Sequence, residues 1–265
     1  RKIKMKQKIY NQVNEIKKNT SSFLWIYGIH PVRAALLNPQ REIHQILTTE
    51  NALKRLSLNN ISKKFIKMME MVDKPKIDAI VGPDKVHQGI ILRAKPLRTS
   101  SLDEIISLSN NKEQSVIILL DKITDPYNIG AITRSAFGFG ALAVILGKDG
   151  SPDETGALAK AASGALEFIP IVRVTNLNRA INKLQKNGFW STGLETEAKT
   201  NIYNEDLPNK CLFILGSEGR GIRQLVKKNC DTVVKLPITK ELESLNVSNA
   251  ATIALFEWHR QMKKR

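Results

Sequence analysis

Three segments of this 265-residue chain place polar side chains directly after short apolar runs. The segments are 121–140 (DKITDPYNIGAITRSAFGFG), 213–222 (FILGSEGRGI) and 236–251 (LPITKELESLNVSNAA). Their candidate functional side chains are Asn128, Arg134, Glu218, Ser244 and Asn246. Such groups could together bind and orient a polar ligand, and the glycines around Glu218 would let backbone amides approach it closely. The alternative is three ordinary helix starts, where Asn, Ser and Gly are favoured for capping alone.

Short apolar strands that alternate with helical patterns must position these segments. Strands are predicted at 115–120, 141–146, 168–174, 189–194, 211–216 and 232–237, and helices at 128–140, 154–165, 176–187, 221–229 and 246–264. This alternation is typical of an α/β fold with a parallel sheet, which binds its ligand at the carboxyl ends of the strands. Asn128 is expected to cap its helix. The last helix is apolar on most sides through Trp258, which favours a homodimer.

The first part of the chain is predicted to form a smaller α/β unit. Its strands are expected at 42–49 and 89–95, with helices at 31–38 and, as one or two helices, at 51–72. Ser101 and Glu104 form a capping-box pair that opens a short helix after the linker KPLRTSS. The expected division is a basic tail over 1–21, a small domain over 22–97, a linker and short helix over 98–114, and the main domain over 115–265.

The net charge indicates a polyanionic partner. The chain has 41 Lys and Arg against 25 Asp and Glu, which gives +16 and a pI near 9.8. Cations that neutralise phosphates release condensed counterions, so nucleic-acid binding is favoured. Residues 1–20 carry +6 and residues 259–265 carry +4 of this excess. A proteome rich in A/T codons, which enriches Lys, Ile and Asn, is the other explanation.

Several classes of protein are excluded by the composition. Two cysteines argue against a disulfide scaffold and favour the cytoplasm, and four widely spaced histidines show no zinc-ligand spacing. No apolar run reaches the length of about 18 residues that a membrane span needs. The string GFGALA (138–143) precedes a predicted strand, so its glycines cannot form the strand-to-helix turn of a dinucleotide site.

The three segments resemble motifs 1, 2 and 3 of the SpoU (TrmH-type) RNA 2′-O-ribose methyltransferases, in order and approximate spacing. The resemblance is close over about 115–260, and YGIHPVRAALL and VHQGIILR are similar to the RNA-binding domain that precedes the motifs in that family. The strings TDPYNIGA, RVTNL, SLNVS and VHQGI resemble the members that methylate one guanosine of large-subunit (23S) ribosomal RNA.

The resemblance implies a fold, a cofactor and partners. It implies a parallel-sheet α/β domain with a C-terminal deep trefoil knot, an N-terminal domain like the ribosomal protein L30e, a homodimer, and bound S-adenosylmethionine (AdoMet). The residues carried over for the cofactor are Thr192, Gly193, Leu194, Gly216, Glu218, Gly219, Leu236, Ile238, Leu245 and Asn246. Arg134 with Asn128 would be the catalytic pair, and Glu218, Ser244 and Asn246 would shape the pocket.

The chemistry of ribose methylation agrees with those implied roles. A 2′-hydroxyl is a poor nucleophile until its proton is drawn away, whereas a sulfonium methyl group is already activated. Arg134 is expected to polarise the hydroxyl and to grip the adjacent phosphate with its planar fork. Arginine is a poor general base because it stays protonated, so the proton is expected to leave through phosphate or water. No metal is required.

Some residues leave alternatives open. Lys240 stands where relatives usually have glycine, which either strains the loop or marks a re-formed turn. His87 and Gln88 could contact RNA or form a structural turn, and Cys211 is expected in the core. Two other functions are a transfer RNA ribose methyltransferase, disfavoured by the full N-terminal domain, and a non-catalytic RNA-binding or ribosome-assembly factor.

Overall fold

The computed structural model describes residues 23–239 and 241–264, so the predicted basic tail over 1–21 and Lys240 lie outside the described residues. The chain divides into two compact units. The first ends at Leu97 and also contains Glu154–Gly156, and the second contains the rest of the chain from Arg98. Among the described residues, no helix is both long enough and apolar enough to cross a membrane.

The first unit is a mixed sheet with helices. Strand β4 lies between β1 and β2 and is antiparallel to both, while β3 runs parallel to β2 at the edge. The strands are β1 (Leu24–Tyr27), β2 (Ile43–Thr48), β3 (Met69–Met71) and β4 (Ile90–Ala94). The helices are α1 (Ile29–Leu37), α2 (Glu50–Arg55), α3 (Lys63–Lys67) and α4 (Lys74–Val81).

The predicted helical stretch over 51–72 is wrong at its end. It contains α2 and α3, but its last residues form β3, which pairs with β2 in parallel. The Val72 N–H also donates to the Thr48 carbonyl at 2.9 Å. Pairing with an existing strand edge is a tertiary interaction that local helical periodicity does not report.

His87 and Gln88 form a structural turn. His87 is only 3% exposed, its Nδ1 accepts from the Gly89 N–H at 3.0 Å, and its Nε2 lies 2.8 Å from an Asp78 carboxylate oxygen. The Gln88 side chain accepts from the Ile29 N–H at 3.1 Å. The structural alternative for these residues is therefore the one that the fold adopts.

The second unit confirms the predicted parallel α/β architecture. Within the described residues its sheet has seven strands in the order β7-β6-β5-β10-β8-β11-β9, all paired in parallel. The strands are β5 (Ser115–Asp121), β6 (Ala143–Gly147), β7 (Ile171–Val174), β8 (Trp190–Leu194), β9 (Thr200–Asn201), β10 (Lys210–Gly216) and β11 (Thr232–Lys235). The helices are α5 (Leu102–Asn110), α6 (Pro126–Gly138), α7 (Gly156–Ala162), α8 (Leu177–Gln185), α9 (Gln224–Lys227) and α10 (Val247–Met262), and only the first residue of α7 groups with the first unit.

Burial of the central strands accounts for their near-continuous apolar sequence. Every residue of β5 is buried, and alternate residues such as Ile117 and Leu119 join a core with α5, α8 and α9. Helix α10 packs on α6 and on β10. The capping box of Ser101 and Glu104 is present at the start of α5, as predicted. Because all strands are parallel, the loops after β5, β8, β10 and β11 open at one edge of the sheet.

Candidate functional site

The loop after β5 ends in a capped helix start. Asp125 is the N-cap of α6, and its carboxylate accepts from the backbone N–H groups of Tyr127 at 3.1 Å and Asn128 at 3.3 Å. The prediction that Asn128 caps this helix is therefore wrong, since Asn128 lies inside the first turn. An aspartate directly before a proline at the first helical position is the sequence signal for the true cap. This arrangement leaves the Asn128 side chain available for longer-range contacts.

The loop after β10 is a tight turn that only glycine permits at its base. A Cβ atom on Gly216 would lie 1.9 Å from the carbonyl carbon of Gly221. The Gly221 N–H donates to the Ser217 carbonyl at 2.9 Å, which closes the turn, and Gly219 has a positive φ of 79°. Glu218 is exposed between these residues. The glycines thus allow the chain to reverse within a few residues and to present a carboxylate at the sheet edge.

Two carboxylates brace the end of this turn. The Glu195 Oε1 accepts from the Ile222 N–H at 2.6 Å, and Asp121, which is fully buried at the end of β5, accepts from both N and Nε of Arg223 at 2.9 and 2.8 Å. Sequence reasoning missed both braces. An aspartate that ends an otherwise apolar strand is the one local signal for the second.

Side chains of the three motif segments meet at this edge in what we term the amide–carboxylate cluster: Asn128, Glu218 and Asn246. Nδ2 of Asn246 donates to Oε1 of Glu218 at 2.8 Å and to Oδ1 of Asn128 at 3.0 Å. Nδ2 of Asn128 donates to the same Glu218 oxygen at 3.3 Å. Within the described residues every hydrogen bond of this carboxylate falls on Oε1, so Oε2 is the acceptor left for a ligand.

The orientation of the Asn246 amide is set by its own helix. Asn246 is the N-cap of α10, and its Oδ1 accepts from the N–H of Ser248 at 2.9 Å and from the Ser248 hydroxyl at 2.5 Å. The oxygen is thereby turned to the helix and the NH₂ group to Glu218. Asn246 therefore caps the helix with its Oδ1 and joins the cluster with its Nδ2. The helix-start alternative from the sequence accounts only for the two bonds to Oδ1.

Arg134 and Ser244 lie outside the hydrogen bonds of the cluster. Both are exposed, and neither has a hydrogen bond or ion pair within residues 23–239 and 241–264. Arg134 is on α6, six residues after Asn128, and its neighbour Ser135 is tied to α10 by a hydroxyl pair with Thr252 at 2.7 Å. Both side chains are thus open to an external ligand.

The residues carried over for the cofactor follow three adjacent strands. Thr192 and Gly193 are buried inside β8, where the Thr192 hydroxyl lies 3.3 Å from that of Thr232. Contacts of these two with a ligand would therefore be made by backbone atoms. The half-buried apolar residues at the carboxyl ends of β8 and β11 and before α10 are Leu194, Leu236, Ile238 and Leu245. Together with Gly216 and Gly219 they form an apolar edge beside a glycine turn.

The two cysteines are unsuited to nucleophilic chemistry. Burial raises the pKa of Cys211 far above its ordinary value, which fits the predicted core position. Burial, with the neighbouring carboxylates of Asp231 and Glu195, raises the pKa of Cys230 to about 12. No group of His, Cys, Asp and Glu in the described part of the chain is arranged to hold a metal ion.

Comparison with known families assigns both units. Residues 115–256 match the SpoU rRNA methylase family, and residues 25–100 match the substrate-binding domain of RNA 2′-O-ribose methyltransferases. The first match contains all three motif segments, and the second contains the strands of the first unit from Trp25 onward.

Individual relatives agree with that assignment. The chain is 38% identical to the 23S rRNA (guanosine-2′-O-)-methyltransferase RlmB of Vibrio cholerae, over 89% of this chain and 96% of the relative. It is 39% identical to the RlmB of Haemophilus influenzae, with 89% and 97% covered. Its fold matches the AdoMet complex of the SpoU methyltransferase AviRb from Streptomyces viridochromogenes with a TM-score of 0.75, at 20% identity and 93% of each chain. The chain belongs to the SpoU rRNA methylase family.

Proposed function

We propose that this protein transfers a methyl group from AdoMet to the ribose 2′-hydroxyl of a guanosine in 23S ribosomal RNA. The observation that carries the proposal is the amide–carboxylate cluster, in which all three motif segments converge at the edge of the sheet. The substrate is taken from the relatives named RlmB, whose sequences align with 89% of this chain.

The residues at the sheet edge fit the proposed cofactor. A flat adenine ring is held well by apolar side chains, and Leu194, Leu236, Ile238 and Leu245 offer them at neighbouring strand ends. The turn at Gly216 and Gly219 lets backbone amides approach closely. Thr192 and Gly193 would contribute backbone groups. When bound, AdoMet supplies a methyl group on a positively charged sulfur.

The polar residues have separate tasks in this proposal. Glu218 Oε2 and the Asn128 amide orient the ribose, with Ser244 as a further hydroxyl at the same edge. Arg134 binds the phosphate next to the target ribose and stabilises the negative charge that develops on the 2′-oxygen. Its exposed side chain, without a partner in the described part of the chain, is available for that task. The hydroxyl proton leaves through phosphate or water, because arginine remains protonated.

We further propose that the second unit contains the deep trefoil knot of the family. The support is the strand order: β10 lies between β5 and β8 although it follows β9 in sequence, and β11 then pairs with the other side of β8. After β11 the chain returns to α10, which packs on α6 and β10. The first unit is proposed to bind the RNA as an L30e-like domain, supported by its family match and its mixed four-stranded sheet.

A homodimer is proposed on the basis of exposed aromatic residues on α6, on α10 and in the segment before β7. Phe137 and Phe168 stack with ring centroids 5.0 Å apart and are 45% and 59% exposed. Phe256, 54% exposed, packs edge-on against Phe139 at 6.2 Å. Exposed aromatic clusters of this kind are typical of protein interfaces. Analytical ultracentrifugation of the wild type and of Phe256→Glu tests it, with a dimer expected for the first and a monomer for the second.

The activity is tested by transfer of labelled methyl from AdoMet to 23S rRNA from cells that lack this protein, followed by mapping of the 2′-O-methyl site. A single labelled guanosine is the expected result. We propose that the reaction takes place in the cytoplasm, because the relatives are bacterial rRNA methyltransferases. Label in transfer RNA alone would favour the other substrate class. No label in rRNA, assembling subunits or transfer RNA would favour the non-catalytic alternative.

A further inference from the structure

A cavity of mixed polar and apolar lining shares two loops with the amide–carboxylate cluster. It has a volume of about 410 Å³ and lies at the carboxyl ends of β5, β6 and β7, in the second unit. Its walls come from the residues that end β5 and β6 and from the starts of α8 and α9. A volume of several hundred Å³ is typical of small-ligand sites. The described residues that line it include none of those assigned above to catalysis or to AdoMet.

The cavity and the cluster are bounded by the same two loops. Asp121 and Lys122, at the end of β5, line the cavity, and the same loop continues to Asn128. Arg223 lines it from the other side and follows the turn that presents Glu218. The two loops that carry Asn128 and Glu218 therefore also contribute to this cavity.

Two cationic residues, Lys122 and Arg223, and two acidic residues, Asp121 and Asp149, line the cavity. Lys122 is exposed, and its backbone has a positive φ of 58°, which side-chain-bearing residues adopt rarely. Its Nζ lies 3.4 Å from the Asp149 carbonyl oxygen, which directs the ammonium group across the end of β6. Arg223 uses its Nε for the buried Asp121, and its side chain remains 52% exposed. Asp121 is thereby paired with a cation, and the half-exposed Arg223 side chain also lines the cavity.

Apolar and amide groups complete the lining. Leu225 is 70% exposed at the cavity although it is a large apolar residue, whereas the nearby lining residue Leu177 is buried in the core. The Asn176 Oδ1 accepts from the Arg179 N–H at 3.0 Å. Because this bond uses the amide oxygen, the NH₂ group of Asn176 is the part of the side chain left for a ligand. Gln224 adds a second carboxamide. Apolar surface for a base, amides for its edge and cations for its phosphate are the groups that recognise an unstacked nucleotide.

We propose that this cavity binds a nucleotide that neighbours the methylated one in the RNA. The base packs on Leu225, its edge is met by Asn176 and Gln224, and the phosphate lies between Lys122 and Arg223. The proposal rests on the proposed function as an RNA methyltransferase and adds a determinant of sequence context next to the target ribose.

The test measures the affinity of the full-length protein for unmodified 23S rRNA as a function of salt, with Lys122→Asn and Leu225→Ala. Asparagine tolerates the positive φ of residue 122, so the variant removes the charge without new strain. It is expected to reduce the slope of log affinity against log salt by about 1. Leu225→Ala is expected to weaken binding about fivefold with an unchanged slope, because only apolar contact is lost. The AdoMet dissociation constant and Tm stay at wild-type values in both.

Matched controls separate the cavity from general surface effects. Lys228→Asn removes an exposed charge at the end of α9, and Leu108→Ala removes a leucine that is 54% exposed on α5, and neither residue lines the cavity. Cavity variants that behave like these controls would overturn the proposal. RNA affinity is measured without methyl transfer. Failure of methyl transfer by the wild type would therefore count against the proposed activity, whereas the affinities of the cavity variants would still decide whether the cavity binds RNA.

Discussion

The Asn246 amide nitrogen lies 2.8 Å from Oε1 of Glu218, although the two residues are 28 positions apart and belong to different loops. The same nitrogen reaches Asn128, 118 positions away, at 3.0 Å. One amide thus joins the segments that follow β5, β10 and β11. The Ser248 bonds to the amide oxygen prevent the amide from turning over, so the donors face the carboxylate and the cluster is preorganised before a ligand binds.

Glu218→Gln tests the role of the carboxylate. Glutamine keeps the size of the side chain but replaces one oxygen by a donor, and hydrogen bonds to a charged acceptor contribute about 1.5–3 kcal/mol. We expect kcat for methyl transfer to fall at least about tenfold, because a tenfold change corresponds to about 1.4 kcal/mol, close to the lower bound of that range. Glu113→Gln, at an exposed acid outside the three segments, is the control. Equal kcat values for the two variants would contradict a catalytic role of Glu218.

Arg134→Ala is expected to abolish methyl transfer and to leave AdoMet binding and Tm unchanged. The physical reason is that this side chain is exposed and has no partner in the described part of the chain, so its removal leaves no buried group unpaired. Turnover is measured with labelled AdoMet and cofactor affinity by calorimetry. Lys186→Ala, which removes an exposed cation at the far end of α8, is the matched control. Wild-type turnover in Arg134→Ala would exclude this residue from the mechanism.

Gly216→Ala is expected to disrupt the turn that carries Glu218. The new methyl group would lie 1.9 Å from the Gly221 carbonyl carbon, so the backbone must move. We expect a loss of about 1–3 kcal/mol in the free energy of unfolding, together with weakened AdoMet binding. Gly138→Ala is the matched control, because a Cβ there meets nothing within 4 Å. A Gly216→Ala protein as stable as that control, with unchanged AdoMet affinity, would refute the steric argument.

Thr252 is expected to position α6 against α10. Its hydroxyl donates to the Ser248 carbonyl at 2.8 Å and lies 2.7 Å from the Ser135 hydroxyl, next to Arg134. Thr252→Val keeps the shape and removes these bonds, so we expect a lower kcat with a nearly unchanged KM for AdoMet. Thr252→Ser should restore kcat because it restores the hydroxyl. If Thr252→Ser is as slow as Thr252→Val, the effect comes from packing and the hydrogen bonds do not position the helix.

The thiols are expected to be unreactive in the folded protein. The pKa of Cys230 is raised to about 12 and that of Cys211 is raised further, so neither forms appreciable thiolate at pH 8. Iodoacetamide should label them only after unfolding, as measured by mass spectrometry. Because an unfolded thiol ionises near 9.0 and the folded Cys230 near 12, the free energy of unfolding should fall as pH rises through this interval. Cys230→Ala should reduce that fall.

The sequence by itself determined the parallel α/β class and the motif segments. Period and composition are local properties, so buried strands such as β5 and the glycine turn at Gly216 could be recognised without coordinates. The capping box at Ser101 was likewise readable, because its donors and acceptors lie within one helical turn.

Only the tertiary structure decided which polar residues meet. Asn128 and Glu218 are 90 positions apart, and their contact depends on the insertion of β10 beside β5, which no local pattern specifies. The same holds for Asp121 and Arg223, which are 102 positions apart. Local rules also misassigned the cap of α6. Both Asp125 and Asn128 are residue types that cap helices well, and the choice between them depends on the path of the chain between the end of β5 and the helix. The amino-acid sequence thus provides the polar side chains, and the order of the strands in the sheet brings them within hydrogen-bonding distance.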